Sequence, residues 1–141
     1  MTEASREWLE AAQNNINVAE HSLSLWPVPR EVIFFLSQQC AEMALKGVLI
    51  EHDIEPPVTH NLEHLCKMCA EQDSRFYEWI ERCGRIAPYA SRSRYPNGPE
   101  VTVEIMNLAL KRSREVFEFI QSVLEGEEPE QEAIPEQGSR Q

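Results

Sequence analysis

Between Ala4 and Leu25 apolar residues return every three or four positions, at Trp8, Ala12, Ile16, Ala19 and Leu23. That rhythm lays one apolar stripe along a helix. Pro27 and Pro29 close it and open a tight connection. The next segment, from about Arg30 to His52, reads REVIFFLSQQCAEMALKGVLIEH and is apolar around most of its circumference. Gln38, Gln39, Glu42 and Lys46 form its polar strip. A helix apolar nearly all round is buried on several sides. In so short a chain, two sister helices and a second copy of the chain would do it. Glu42 and Lys46 stand four apart with the acid first, a pair contributing about 0.2–0.5 kcal/mol if exposed.

Pro56 and Pro57 block that helix, and Thr59 is placed to cap the next, which runs to about Glu71. Asp73 or Ser74 can cap a further one, to about Ile86, and Pro88 stops it. Pro96, Asn97, Gly98 and Pro99 form a turn, with Pro99 suited to the first turn of the last helix. Residues 100–124 carry Ile105, Ala109, Val116, Ile120 and Val123 on one side of a long final helix. No strand-like alternation and no internal repeat occurs. The pattern predicts an all-α protein, an up-down bundle of four to five helices over residues 1–124. The tail 125–141, acidic, without aromatics and rich in Gln, Glu, Gly and Pro, is expected to be disordered.

A chain of 141 residues fits one domain. Its mean hydropathy of −0.45 suits a soluble chain, and no run approaches the roughly 20 apolar residues of a membrane helix. No basic start followed by an apolar stretch marks export, so a cytoplasmic location is expected, with no membrane association. The four cysteines, Cys40, Cys66, Cys69 and Cys83, are then thiols by default.

The net charge is −11, and six acids fall after Val123. This excludes a broad nucleic-acid-binding surface, which needs accumulated Lys and Arg. It leaves room for one focused anion site. Between Glu81 and Glu100 the chain holds Arg82, Arg85, Arg92 and Arg94 and no acid. Tyr89 and Tyr95 flank Arg92 and Arg94. Guanidinium groups grip phosphate as a fork, and tyrosines can stack on a base or donate a hydroxyl. Arg92, Arg94, Tyr95 and Tyr89 are therefore the candidate nucleotide or phosphate ligands. The alternative is structural: the arginines pair with acids of the helices or tail, and Tyr95 plugs the bundle end.

Other chemistry is weaker. His60, His64, Cys66 and Cys69 fall within ten residues. At about 100° per residue the two histidines and the two cysteines point to opposite sides of one helix, so a single ion could not collect all four. The cysteines share their side with Leu62 and Leu65 and read as core thiols. No nucleophile elbow or phosphate-cradling glycine loop occurs. No metal, no cofactor and no catalytic residue is expected.

Three stretches in order, FFLSQQCAEMALKGVL, VTHNLEHL and SRYP, resemble the HEPN domain family (higher eukaryotes and prokaryotes nucleotide-binding domain). The matching positions are Gln38, Gln39, Ala41, Glu42, Ala44, Leu45 and Lys46, then Pro57, Thr59, His60, Leu62 and Leu65, then Arg94, Tyr95 and Pro96. Trp8, Leu9 and Ala12 fit the first helix, so the resemblance covers about residues 4–124. It implies a four- or five-helix bundle, a homodimer through the second and last helices, and association with nucleotides or RNA. It also implies a possible partner, a minimal nucleotidyltransferase, in a toxin–antitoxin type pair. Ribonucleases of this family use an arginine followed, after four to six residues, by a histidine. Before His21, His52, His60 and His64 those positions read Asn14–Ile16, Leu45–Gly47, Asp53–Glu55 and Pro57–Thr59, with no arginine among them. A binding or regulatory role follows as the expectation, with a divergent metal-independent ribonuclease and a ligand-free dimeric scaffold as the alternatives. His60 is expected to start its helix and to cap or hydrogen-bond locally.

Overall fold

Thr2 starts the first helix, its Oγ1 accepting a hydrogen bond from the Ser5 N–H at 3.0 Å. The computed structural model describes residues 1–86 and 100–126. Helix α1 spans Glu3–His21 and buries Leu9, Ala12, Ile16 and Ala19. A short 3-10 turn, Ser22–Ser24, follows and takes Leu23 out of the stripe. Trp8 is half-buried because it lies over Gly47 of the next helix. A Cβ on Gly47 would stand 3.1 Å from the Trp8 Cβ, so the two backbones approach closely there. Ser5 Oγ donates to the Gly47 carbonyl at 3.0 Å in the same crossing.

Helix α2, Arg30–Glu51, is the central element and packs chiefly on α1, then on the last helix and on α3. Its length and apolar character would suffice to cross a membrane, but 67% of its most apolar window is buried inside the protein. Its all-round hydrophobicity is thus consumed largely by neighbours within one chain. Its end is closed by a left-handed residue, Asp53, at φ 61°. The Ile54 N–H donates to the Leu49 carbonyl at 2.9 Å and the Asp53 N–H to that of Ile50 at 3.0 Å, the pair of bonds of a Schellman cap.

Helix α3 spans Leu62–Gln72. Its cap is Asn61, which accepts from the His64 N–H at 2.9 Å, and not Thr59. Thr59 Oγ1 instead accepts from the Asn61 N–H at 3.1 Å, so it organises the turn before the cap. The predicted helix over 74–86 divides into a 3-10 segment, Ser74–Trp79, capped by Asp73, and a short α4, Ile80–Gly84. Helix α5, Val103–Gly126, begins three residues after the expected Glu100. There Thr102 Oγ1 accepts from the Ile105 N–H at 3.1 Å, which sets the start.

Among the described residues the five α-helices and the 3-10 segment share one core, centred on Phe34, Phe76 and Phe117 with Ile16, Leu45, Leu49, Leu65 and Ile120. Phe119 of α5 meets Phe76 edge-on at 5.0 Å and stacks on Trp79 at 4.6 Å, joining the 3-10 segment to the last helix. The Ser5–Gly47 contact makes α1 antiparallel to α2. An ion pair at 3.5 Å between Arg30 and Glu100 puts the starts of α2 and α5 together. Arg114 of α5 grips Glu20 near the end of α1 with two hydrogen bonds. That contact holds the Arg114 guanidinium above its ordinary range. No strand occurs among the described residues, and the fold is the expected all-α bundle.

Candidate functional site

The polar strip of α2 is not a surface. Gln38 is fully buried and the Glu42 side chain is 5% exposed. Three groups converge on Glu42. Lys46 Nζ donates to Oε2 at 2.9 Å, Gln38 Nε2 donates to Oε1 at 3.2 Å, and His60 Nδ1 lies 2.9 Å from Oε1. The Glu42–Lys46 pair is mostly buried, with the Lys46 side chain 12% exposed, so the value for an exposed pair does not apply. His60 does not start its helix and does not bond locally. It reaches back eighteen residues to Glu42 from the turn ahead of the Asn61 cap. Its ring is 59% exposed, so one nitrogen is tied to a buried carboxylate while the other edge faces water.

The entry to the arginine island is a second polar feature. Arg82 of α4 lies 4.3 Å over the Trp79 ring, a cation–π contact. Arg85 pairs with exposed Glu81 at 2.8 Å. Arg112, from α5, donates to the Arg85 carbonyl at 3.0 Å. Among the described residues no carboxylate pairs with Arg82 or Arg112. Arg82, Arg85 and Arg112 thus lie where the described chain stops short of the island, Arg85 already paired with Glu81. A Cβ on Gly84 would stand 2.9 Å from Glu63 Oε1, which sets this entry against the first turn of α3. His60 lies ahead of the Asn61 cap, three residues before Glu63 in the chain. Tyr89, Arg92, Arg94 and Tyr95, the candidate phosphate ligands, lie outside the described residues.

The cysteines are core thiols, as their positions beside leucines predict. All four are free and buried. Burial pushes the Cys40 thiol up to about 12, with Arg114 lowering it and Glu20 raising it. Burial also raises Cys69, helped by Cys66 and Asp73. Cys83 is raised first by a hydrogen bond with Cys66 and then by burial. Cys69 Sγ lies 3.4 Å from the Leu45 carbonyl and Cys66 Sγ 3.6 Å from that of Phe76. These thiols are not poised as nucleophiles. No group of three or more His, Cys, Asp and Glu side chains suited to a metal ion occurs among the described residues.

The family model for the HEPN domain matches residues 5–123. The chain belongs to the HEPN domain family. No curated protein is similar enough to count as a match. Membership supports a nucleotide- or RNA-associated function in general, and the matched span includes the Glu42 cluster and the sequence of the island. Two components of this HEPN site were not visible in the motif pattern. Arg112 stands beside Lys111 and Arg114 in a long helix, and only the fold shows that it meets the Arg85 carbonyl. Glu42 and His60 each stood in a matched stretch, but nothing in their spacing shows that they touch.

Proposed function

We propose that this HEPN domain binds the phosphates of a nucleotide or an RNA strand through the arginine island and its entry, as a binding or regulatory subunit. Arg92 and Arg94 would grip phosphate, Tyr89 and Tyr95 would stack or donate, and Arg82, Arg85 and Arg112 would hold the surrounding positive field. The observation that supports this most is Arg112. It extends the sequence-local basic window into a patch built from two helices, in a protein otherwise strongly negative. Catalysis is not needed for this reading, because no histidine stands at the family's ribonuclease spacing from an arginine.

Fluorescence anisotropy with labelled RNA, and calorimetric titration with ATP and GTP, test it. Binding should weaken as salt rises, and about tenfold or more in Arg112→Ala and in Arg94→Ala, each of which removes a charged contact. Absence of binding to every one of these ligands would favour a ligand-free scaffold. Metal-independent RNA cleavage lost in Arg94→Ala would establish the ribonuclease reading instead.

The proposal includes a homodimer and a nucleotidyltransferase partner. Val32 on α2 and Val103 and Leu108 on α5 are largely exposed, as are Leu25 and Trp26 nearby in the chain. Apolar residues on these two helices support pairing through them. Light scattering on the purified chain should give twice its 16.3 kDa mass, and Val103→Glu with Leu108→Glu should return it to one copy.

A further inference from the structure

Helix α4 has little to hold it. It spans five residues, Trp79 at its start makes no side-chain cap bond, and Cys83 is its one buried residue. Glu81, Arg82 and Arg85 around that thiol are exposed, and only Ile86, just beyond the helix, returns to the core. Gly84 lies against α3, where a Cβ would stand 2.9 Å from Glu63 Oε1. Cys66 comes one turn after Glu63 on the same side of α3. Its S–H donates to the Phe76 carbonyl at 3.6 Å, and its sulfur accepts a hydrogen bond from Cys83. The two residues are 0% and 1% exposed. Cys69, also on α3, has its sulfur turned instead to the Leu45 carbonyl of α2, at 3.4 Å.

The thiol that anchors a short, weakly held helix thus rests on a second thiol of the longer helix beneath it. We propose that Cys66 and Cys83 are a redox pair whose oxidation to a disulfide by a low-molecular-weight disulfide staples α4 to α3 and fixes the stretch that carries Arg82 and Arg85. While α4 is packed both thiols are shielded, and its local opening admits the oxidant. Cys83, its proton lost to water, attacks one sulfur of the small disulfide. That S–S bond breaks and one small thiolate leaves. The Cys66 thiolate then attacks the Cys83 sulfur, and the second small thiolate leaves as the Cys66–Cys83 bond forms. The protein loses two electrons and two protons, and the small disulfide is reduced to two thiols. An excess of small thiol runs the sequence backwards, so the staple follows the balance between the two forms. Closing the loop removes open conformations of α4, so the bridged state holds that helix more firmly than the reduced one.

The test is prolonged incubation of the full chain with oxidised glutathione in native buffer, then alkylation of the remaining thiols and tryptic mapping without reduction. Trypsin cuts after Lys67, Arg75, Arg82 and Arg85, so Cys66, Cys69 and Cys83 fall in separate peptides. The expected product joins the Cys66 peptide to the Cys83 peptide with the loss of two hydrogens, and dithiothreitol reverses it. In the bridged protein the α4 amides should exchange with deuterium at least about tenfold more slowly than in the reduced protein. Cys40, buried in α2, reports unfolding of the whole chain and should stay free. Cys66→Ser and Cys83→Ser should each abolish the bridge. Cys83→Ala keeps a small apolar side chain and should do the same if the serine variant folds poorly. A bridge through Cys69, a mixed disulfide that goes no further, or no product at all would overturn the inference. So would a bridge that forms only together with modification of Cys40, or one that leaves α4 exchange unchanged.

Discussion

Replacing Glu42 by Gln changes one oxygen into an NH2 group at almost constant shape. In the native cluster Oε2 faces Lys46 Nζ at 2.9 Å, and Oε1 faces both His60 Nδ1 at 2.9 Å and Gln38 Nε2 at 3.2 Å. Whichever way the new amide turns, it opposes a donor with a donor. The three partners do not lose equally. His60 is mostly exposed, so water replaces its bond at little cost. Lys46 is largely covered, and removing one member of a buried ion pair costs about 3–5 kcal/mol. Its flexible stem lets the ammonium move towards water, which trims that figure. The expected loss is about 2–3 kcal/mol, read from urea unfolding followed by helical circular dichroism at fixed protein concentration. Adding Lys46→Met removes the stranded ammonium, so the double variant should be at least about 1 kcal/mol more stable than Glu42→Gln alone. Glu42→Gln within about 0.5 kcal/mol of the unaltered protein would show that the cluster is not the buried, mutually dependent unit described here.

Asp53→Gly relieves a left-handed backbone that costs an ordinary residue about 1–2 kcal/mol, so a gain of about 0.5–1 kcal/mol is expected in the same unfolding assay. Asp73→Ala removes the side chain that caps the 3-10 segment by accepting from the Arg75 N–H at 3.0 Å, and should lose about 0.5–2 kcal/mol. The Arg75 side-chain hydrogen bonds hold Asp73 below its ordinary value, so its contribution is present above the unfolded-state value and fades as pH falls through the lowered one. Acid titration of the unfolding free energy should therefore show a shallower acid loss in Asp73→Ala than in the parent. All four thiols should resist a thiol-reactive dye in the native state and react together on unfolding, because each is buried. Rapid labelling of any of them in native buffer would contradict the packing.

Much of the fold could be read from periodicity, because each helix buries a continuous apolar stripe and the Pro-rich breaks are local. The misreadings share a physical origin. Leu23 kept the spacing of α1 but fell into a 3-10 turn, and Leu9 took the buried place that Trp8 seemed to hold. Trp8 is displaced because α2 has no side chain at Gly47 and the two backbones close up there. The cap of α3 slipped by two residues because two capping residues, Thr59 and Asn61, stood near each other. Only the hydrogen-bond geometry decides between them. For the second helix, α1, α3 and α5 bury most of its apolar surface within one chain.

The site was legible in a narrower way. A charge anomaly marks the island, since four arginines without an acid stand out against a net charge of −11. What a linear reading cannot give is the company such residues keep. Glu42 read as one half of an exposed i, i+4 pair, which is correct for a polar strip on an isolated helix. In the fold Glu42 is a buried carboxylate facing three groups, Lys46 and Gln38 from its own helix and His60 from the following connection. The fold takes His60 from a local helix-starting role to an imidazole held by Glu42. A residue's chemistry here is set by what covers its neighbour: cover Glu42 and His60 becomes directional. This also orders the experiments, because Glu42→Gln disturbs Lys46 and His60 together, whereas His60→Ala removes a mostly exposed ring and leaves the buried Glu42–Lys46 pair in place.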